Sequence, residues 1–424
     1  MDTFMLPFRC SPFLAAVFAV LPLACGGSEV GAPAADAAPD ASSPEVSDAA
    51  PVSLDAGEEP ADAGAPDGGD VPDAGDEADA ADASEEDAGD GDDDAGEPGP
   101  PPVIWRFCGQ YDPPVETAKL QNALLAEASG IAASRQNPGI LWIHHDNAGL
   151  ASVHAVDAST GATVAVLSAP AGFSVSDVED IALARCPWPD DGSRSDNPNP
   201  YGGAPCLWLA DSGNNGHSRT DLSIVVLEEP ELSRAASAFA APEEITASRA
   251  WRLPYVFPAD NCDSEALVVE PDGSAFYLFE KVDADPARLF EAKGPFAHGE
   301  TLMLSEVGTV PAHPLRLNEY IDLTPQYGLM MTGADLHPSR KRLLLRTYIG
   351  SFEYRFTTDD WPREMPGMQS SFEYWGPALG PTKESQGEAV AYGIDGMSYW
   401  TVSEDPNQQP GQGIHYYSCA NGEN

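Results

Sequence analysis

The feature that most constrains this chain is a short pattern that returns five times. A small or acidic residue precedes a carboxylate or glycine, then Ala or Asp, then an aliphatic run. The five copies read Ala128-Ser129-Gly130-Ile131, Val178-Glu179-Asp180-Ile181, Ser264-Glu265-Ala266-Leu267, Gly333-Ala334-Asp335-Leu336 and Gly387-Glu388-Ala389-Val390. Repetition on this scale points to a radial or stacked architecture, because one short unit cannot bury its own apolar face.

Behind each copy the chain breaks into short apolar runs separated by turn residues such as Asn137-Pro138-Gly139, Ser159-Thr160-Gly161 and Pro271-Asp272-Gly273. Four such runs per unit read as four antiparallel strands. The fifth unit offers only three: Ala389–Tyr392, Ser398–Val402 and Ile414–Ser418. The expected fold is all-β: a single β-propeller of five four-stranded blades, or six if the irregular stretches around 228–262 and 310–330 hold another. The missing strand is expected from Val103–Phe107, at the N-terminal edge of the domain. Helical spacing is confined to Thr117–Ala126 and Leu232–Phe239.

The ends of the chain are different material. An apolar run, Phe13 to Leu21, follows Arg9 and leads into Leu21-Pro22-Leu23-Ala24-Cys25, which resembles a bacterial lipobox. Residues 1–25 are therefore expected to be a lipoprotein signal peptide with Cys25 lipidated. That implies export and attachment to the outer membrane through lipid alone. Residues 26–102 hold 24 Asp and Glu and no Lys or Arg, interleaved with Ala, Gly and Pro. Such a segment buries too little apolar surface to offset its ordering entropy, so a disordered linker is expected. Residues 103–424 remain as the propeller, with 43 acidic against 20 basic residues. That charge disfavours nucleic acid and anionic lipid surfaces as partners; a monomer with an unidentified ligand or protein partner is expected.

Beyond Cys10 and Cys25, five cysteines remain: Cys108, Cys186, Cys206, Cys262 and Cys419. Their number leaves 15 arrangements open. Two pairs have a structural logic. Cys186 and Cys206 bracket the polar insertion Trp188–Pro205, and Cys108 and Cys419 lie where a ring must close. Cys262 is then expected to be a buried free thiol.

In a propeller the start of each first strand and the end of each second strand share one mouth of the central channel. The second strands end on His144-His145-Asp146-Asn147, Asp211-Ser212-Gly213-Asn214-Asn215, Glu280-Lys281, Arg346-Thr347-Tyr348 and Ser403-Glu404-Asp405. The expected rim is therefore Ser129, His145, Asp146, Glu179, Asp180, Asp211, Asn214, Glu265, Lys281, Asp335, Arg346, Glu388 and Glu404. Crowded carboxylates need a cation, and oxygen ligands suit Ca²⁺. Glu179, Asp211, Glu265, Asp335 and Glu388 are the expected ligands. Polar channel residues also bind water and tie blades together, so no single one of them marks a site. His144 and His145 are adjacent on a strand, so at most one points inward. No zinc spacing, Gly-x-Ser-x-Gly, phosphate loop or dinucleotide fingerprint is present.

Several longer matches carry a resemblance. Glu127-Ala-Ser-Gly-Ile, Leu141-Trp-Ile-His-His-Asp, Val178-Glu-Asp-Ile-Ala, Leu209-Ala-Asp-Ser-Gly-Asn-Asn, Asp263-Ser-Glu-Ala-Leu, Thr332-Gly-Ala-Asp-Leu, Gln386-Gly-Glu-Ala-Val and Thr401-Val-Ser-Glu occur in that order. Together they resemble a group of bacterial exported β-propeller proteins, which implies fold and export rather than a reaction. More loosely the chain is similar to phytase-like propellers, whose inner carboxylates hold Ca²⁺ for phosphomonoester hydrolysis; that likeness implies Lys281 and Arg346 as phosphate partners. Three functions follow in order: a ligand-binding propeller with Ca²⁺ at its acidic mouth, a Ca²⁺-dependent phosphoesterase, and a scaffold without a small-molecule site. Binding leads because no general base stands out.

Overall fold

The second strand of the second unit, Pro205–Asp211, shows how the sequence dictates the fold. Cys206, Trp208 and Ala210 face one way and pack with Leu267, Val269, Phe276 and Leu278 of the following sheet. Leu207 and Leu209 face the other way, against Trp142, Val153, Ala155 and Leu167 of the preceding one. Successive side chains on a strand alternate between faces, so a strand apolar at every position needs a sheet on both sides. A closed ring of sheets gives each one two neighbours.

The structure, a computed structural model, describes residues 105–146, 148–189, 203–233, 241–283, 286–311, 328–367, 372–375, 384, 386–405 and 409–423. The expected signal peptide, Cys25 and the acidic linker lie outside these residues. Five sheets, each with four antiparallel strands and two of them extended by a short parallel outer strand, form a five-bladed propeller. Blade I is Ala128–Ala133, Ile140–His145, Ser152–Asp157 and Thr163–Ser168. Blade II is Val178–Arg185, Pro205–Asp211, Ser223–Glu228 and Ala250–Val256. Blade III is Ser264–Val269, Ala275–Glu280, Ala287–Lys293 and Ser305–Val310. Blade IV is Met331–Leu336, Arg342–Thr347, Gly350–Arg355 and Phe372–Trp375. Blade V is Gln386–Tyr392, Tyr399–Glu404, Gly413–Tyr417 and, from the other end of the domain, Val115–Lys119.

Three expectations are corrected. The strand that completes blade V is Val115–Lys119, paired antiparallel with Gly413–Tyr417, and not Val103–Phe107. The chain first runs as Phe107–Tyr111 against Cys419–Glu423 in a separate two-stranded ribbon. Among the described residues the stretch around 228–262 holds no sixth blade: Ala250–Val256 completes blade II, and Glu243–Thr246 adds a parallel strand outside blade I; most of the stretch around 310–330 lies outside the described residues. Thr117–Ala126 is not a helix. Its first residues close the ring, and a short 3-10 helix, Ala123–Glu127, follows Asn122, whose side chain accepts the Leu124 N–H. Helix propensity yields here to the open edge of blade V. The other helical expectation falls mostly on residues outside those described.

Each blade interface has its own apolar core. The one between IV and V is the smallest and the most polar, built from Leu344, Val390, Tyr392, Tyr399 and Tyr417 with Cys108 and Tyr111. Buried Glu353 ties it together. It accepts from the hydroxyls of Tyr111 (2.9 Å) and Tyr392 (3.0 Å) and pairs with Arg342 at 2.9 Å. Cys108–Cys419 crosses this closure, and Cys186–Cys206 staples blade II. Cys262 is free and buried. The two disulfides speak for an oxidising, non-cytoplasmic compartment. No helix among the described residues is long and apolar enough to cross a membrane.

Candidate functional site

The inner strand of every blade carries a β-bulge at the same register. The unpaired residue is Ser129 in blade I, Glu179 in II, Glu265 in III, Thr332 in IV and Glu388 in V. A bulge re-aims its side chain and bends the strand, so five equivalent positions supply three glutamates and two hydroxyls to one mouth of the channel. On the second strands, the residues that follow the partners of the pre-bulge positions form a second set of equivalents: Asp146, Ser212, Lys281, Tyr348 and Glu404. Two rings of five therefore define the mouth, one from first strands and one from second strands.

Within this mouth the three glutamates are nearly sealed from solvent: Glu179 is 7% exposed, Glu265 4% and Glu388 5%. Burial pushes the Glu179 carboxyl well above the usual range, and Glu265 and Asp177 push it further. Burial likewise raises Glu388, with Glu265 and Glu404 adding to it. Glu265 is also raised by burial, but its neighbour Lys281 holds it to about 8. Around them burial and the charges of Asp146 and Glu127 lift Glu404 to about 7; burial, Glu127 and Asp177 lift Asp146 to about 6. These shifts have one physical cause: too many carboxylates share a space too dry to ionise them all.

The hydrogen bonds show how the set is held. Lys281 Nζ pairs with Glu265 Oε1 and lies 5.3 Å from the centre of the Tyr348 ring. Burial alone would lower the pKa of this ammonium, but Glu265 and Tyr348 outweigh it and raise it. Ser129 Oγ donates to the backbone carbonyl of Glu179 at 2.8 Å and stands 3.5 Å from Glu179 Oε2. Gln386 Nε2 donates to Glu388 Oε1 at 3.0 Å and also to Glu404. The second oxygen of Glu265 is buried without a hydrogen-bond partner. Gly213 packs against Glu179 and Asp177, where a Cβ would collide with both carboxylates. Among the described residues no group of three or more His, Cys, Asp and Glu side chains is already arranged as a metal cage.

The expected rim thus divides. Ser129, Asp146, Glu179, Glu265, Lys281, Glu388 and Glu404 occupy equivalent positions at the mouth. His145 ends its strand beside them, half-buried. Asp180 lies one position past the bulge, where the other blades have Gly130, Ala266, Gly333 and Ala389; it fills the channel that these small residues leave. Its carboxylate accepts from the amides of Ile181 (2.8 Å), Leu267 (2.8 Å) and Ala334 (3.0 Å).

Four residues do other work. Asp211 anchors a loop through the amides of Ser176 and Asp177 and an ion pair with Arg219 at 2.8 Å. Asn214 closes a turn, accepting from the amides of Ser218 and Arg219. Arg346 is fully buried and pairs with Glu384 at 2.9 Å. Burial raises the Glu384 carboxyl, but Arg346, His415 and Thr401 overcome this and hold it at about 2. Asp335 needs a correction: the fourth copy is offset by two residues, so Thr332 is its bulge and Asp335 lies three positions deeper. There it accepts the Tyr392 amide at 2.8 Å and lines a small cavity with Arg135, Ile131 and Ile181. Burial raises it to about 7.

Residue-by-residue reading missed Asp177, Glu127 and Gln386 at the mouth, and named Tyr348 at the end of its second strand without carrying it into the rim set. Tyr348 was legible as the residue after Thr347, the counterpart of Lys281 after Glu280. Gln386 and Asp177 precede bulges by two residues and carried no comparable signal.

No protein-family model matches the chain, and no curated protein matches it by sequence. Solved structures similar to it are β-propeller proteins. One is a gluconolactonase from Xanthomonas campestris, at 11% identity over 75% of this chain and 98% of that chain, with a TM-score of 0.34. Another is a 6-phosphogluconolactonase-like protein from Bacteroides uniformis, at 12% identity over 68% and 67%, with a TM-score of 0.30. A third is from the nidogen/laminin complex, at 10% identity over 68% and 83%, with a TM-score of 0.32. At these values no role passes to a residue of this chain. It is a five-bladed β-propeller whose chemistry has to be read from its own mouth.

Proposed function

We propose that this protein is an exported propeller, held at the outer membrane by lipid on Cys25, that binds a ligand at its acidic mouth with Ca²⁺ as the bridging cation. The observation that carries this reading is the burial of Glu179, Glu265 and Glu388 at one register, with a Glu265 oxygen left without a hydrogen-bond partner. A buried acceptor without a donor costs about 1–3 kcal/mol, and a hard cation removes that cost for several oxygens at once. Ca²⁺ fits because the donors are carboxylate, hydroxyl and amide oxygens, and because Ca²⁺ accepts irregular geometry better than Mg²⁺ does. Glu179, Glu265 and Glu388 would supply the charge, with Ser129 beside Glu179.

Nothing favours the phosphoesterase reading specifically. The two basic residues it assigns to phosphate are engaged, Lys281 with Glu265 and Arg346 with Glu384.

The test is thermal melting of the domain at pH 7.5 in EGTA, in Ca²⁺ and in Mg²⁺. A cation at one hundred times its Kd adds about 2.7 kcal/mol, so Ca²⁺ should raise Tm by several degrees. A melting curve indifferent to millimolar Ca²⁺ sinks the reading. Replacing Cys25 by Ser should move the full chain from the membrane to the soluble fraction of its host.

A further inference from the structure

The mouth already contains a cation of its own. The Lys281 ammonium pairs with Glu265, lies 5.3 Å from the Tyr348 ring centre, and among the described residues is a positive group that acts on Glu179, Glu265, Glu388 and Glu404 alike. Its side chain retains 11% of its exposure, against 5% for that of Glu265. The side chain is thus largely buried but more open than that of Glu265, and its flexible four-carbon stem is able to swing outward.

The second equivalent ring explains why it is there. Asp146, Ser212, Tyr348 and Glu404 hold the other four positions, and none of them brings positive charge. One lysine therefore faces three buried glutamates and the half-buried Glu404 and Asp146. A single ammonium cannot match that charge, and the partnerless Glu265 oxygen shows that it leaves acceptors unsatisfied. A divalent ion would satisfy more oxygens, yet it would need the space and the Glu265 oxygen that Lys281 holds.

We propose that Lys281 is an intramolecular competitor: a tethered cation that occupies the acidic mouth until a divalent ion displaces it, and that thereby sets the affinity and selectivity of the site. This rests on the reading of the mouth as a cation site. It fits the lack of a ready-made metal cage among the described residues, since the Glu265 carboxylate is turned to the ammonium rather than to a centre shared with Glu179 and Glu388. It also makes binding of a monovalent ion unfavourable, because exchanging one positive charge for another gains nothing in charge.

Calorimetric titration of Ca²⁺ into the full-length wild-type protein, Lys281→Met and Lys281→Arg tests this, with far-UV circular dichroism and melting to show that each variant is folded. Methionine keeps much of the stem's volume without the charge, and arginine keeps the charge. The expected result is Ca²⁺ affinity at least tenfold higher in Lys281→Met and unchanged or lower in Lys281→Arg. Binding by Lys281→Met alone would uphold the competitor while overturning Ca²⁺ as the wild-type ligand. Equal or weaker binding by Lys281→Met than by wild type would overturn the competitor and leave the cation site standing. No binding by any of the three overturns both. Should Lys281→Met fail to fold, Lys281→Gln gives the same comparison.

Discussion

Asp180 in blade II accepts the amide of Ala334 in blade IV at 3.0 Å, 154 residues further along the chain. With Leu267 of blade III and its own neighbour Ile181 also donating, one carboxylate joins the inner strands of three blades across the channel. Replacement by alanine strands three buried amides, each costing about 1–3 kcal/mol. Asp180→Ala should therefore lose at least 3 kcal/mol in urea denaturation, and Asp180→Asn, which retains one acceptor, should lose less. A loss below about 0.5 kcal/mol would show that water replaces the carboxylate.

The three mouth glutamates should not respond alike to removal of their charge. Glu179 and Glu388 are crowded by other carboxylates, so Glu179→Gln and Glu388→Gln relieve repulsion and should stabilise the cation-free protein by about 1 kcal/mol near pH 8. Glu265 pairs with Lys281, and Glu265→Gln strands a largely buried ammonium, costing about 3–5 kcal/mol. All three should diminish the Ca²⁺-induced rise in Tm. Melting each variant in EGTA and in Ca²⁺ decides it; equal effects on the cation-free protein would deny the distinct role of Glu265.

Stability in EGTA should fall as pH rises from about 5 to 8. Glu265, at about 8, and Asp335, at about 7, hold protons in the fold that the unfolded chain has already released. Their contribution is full below the ordinary carboxylate value and is lost as pH climbs through these raised values. Glu384, held at about 2, acts in the opposite sense: its contribution is full above the ordinary value and is lost as pH falls toward 2. The optimum should therefore lie at about pH 4–5, and Ca²⁺ should flatten the alkaline side. A Tm that rises between pH 5 and 8 in EGTA contradicts this.

The two disulfides should differ in worth. Cys108–Cys419 closes a loop of 311 residues and Cys186–Cys206 one of 20. In the chain-entropy model these give about 5–6 and about 3 kcal/mol. Denaturation of the two double-serine variants should rank them in that order.

How far the sequence carried the fold depended on what was repeated. The five copies, their strand alternation and the cysteine pairs at 108/419 and 186/206 were legible because each is a local pattern tied to a geometric need. The closing strand was not legible: Val115–Lys119 reads Val-Glu-Thr-Ala-Lys, too polar to mark a strand until the open edge of blade V is known. Asp335 was misplaced because Gly-Ala-Asp-Leu looks like a copy of the pattern while the true counterpart starts two residues earlier at Met331, and a string of letters does not reveal that Thr332 is the unpaired residue. Asp211 and Arg346 look like rim residues by position, yet their partners Arg219 and Glu384 lie in other segments, and only folding brings them together.

The order of events at the N-terminal edge has a mechanical meaning. Reading inward from residue 105, the chain meets the Phe107–Tyr111 ribbon and the Cys108–Cys419 bond before it reaches Val115–Lys119, the strand that closes the ring. Tension applied from the N-terminal side is therefore shared covalently with the strand at the other end of the domain, before it reaches the closing strand. An intact bond makes the propeller a clasped ring under load, whereas reduction would let the same pull peel blade V open from its outer edge.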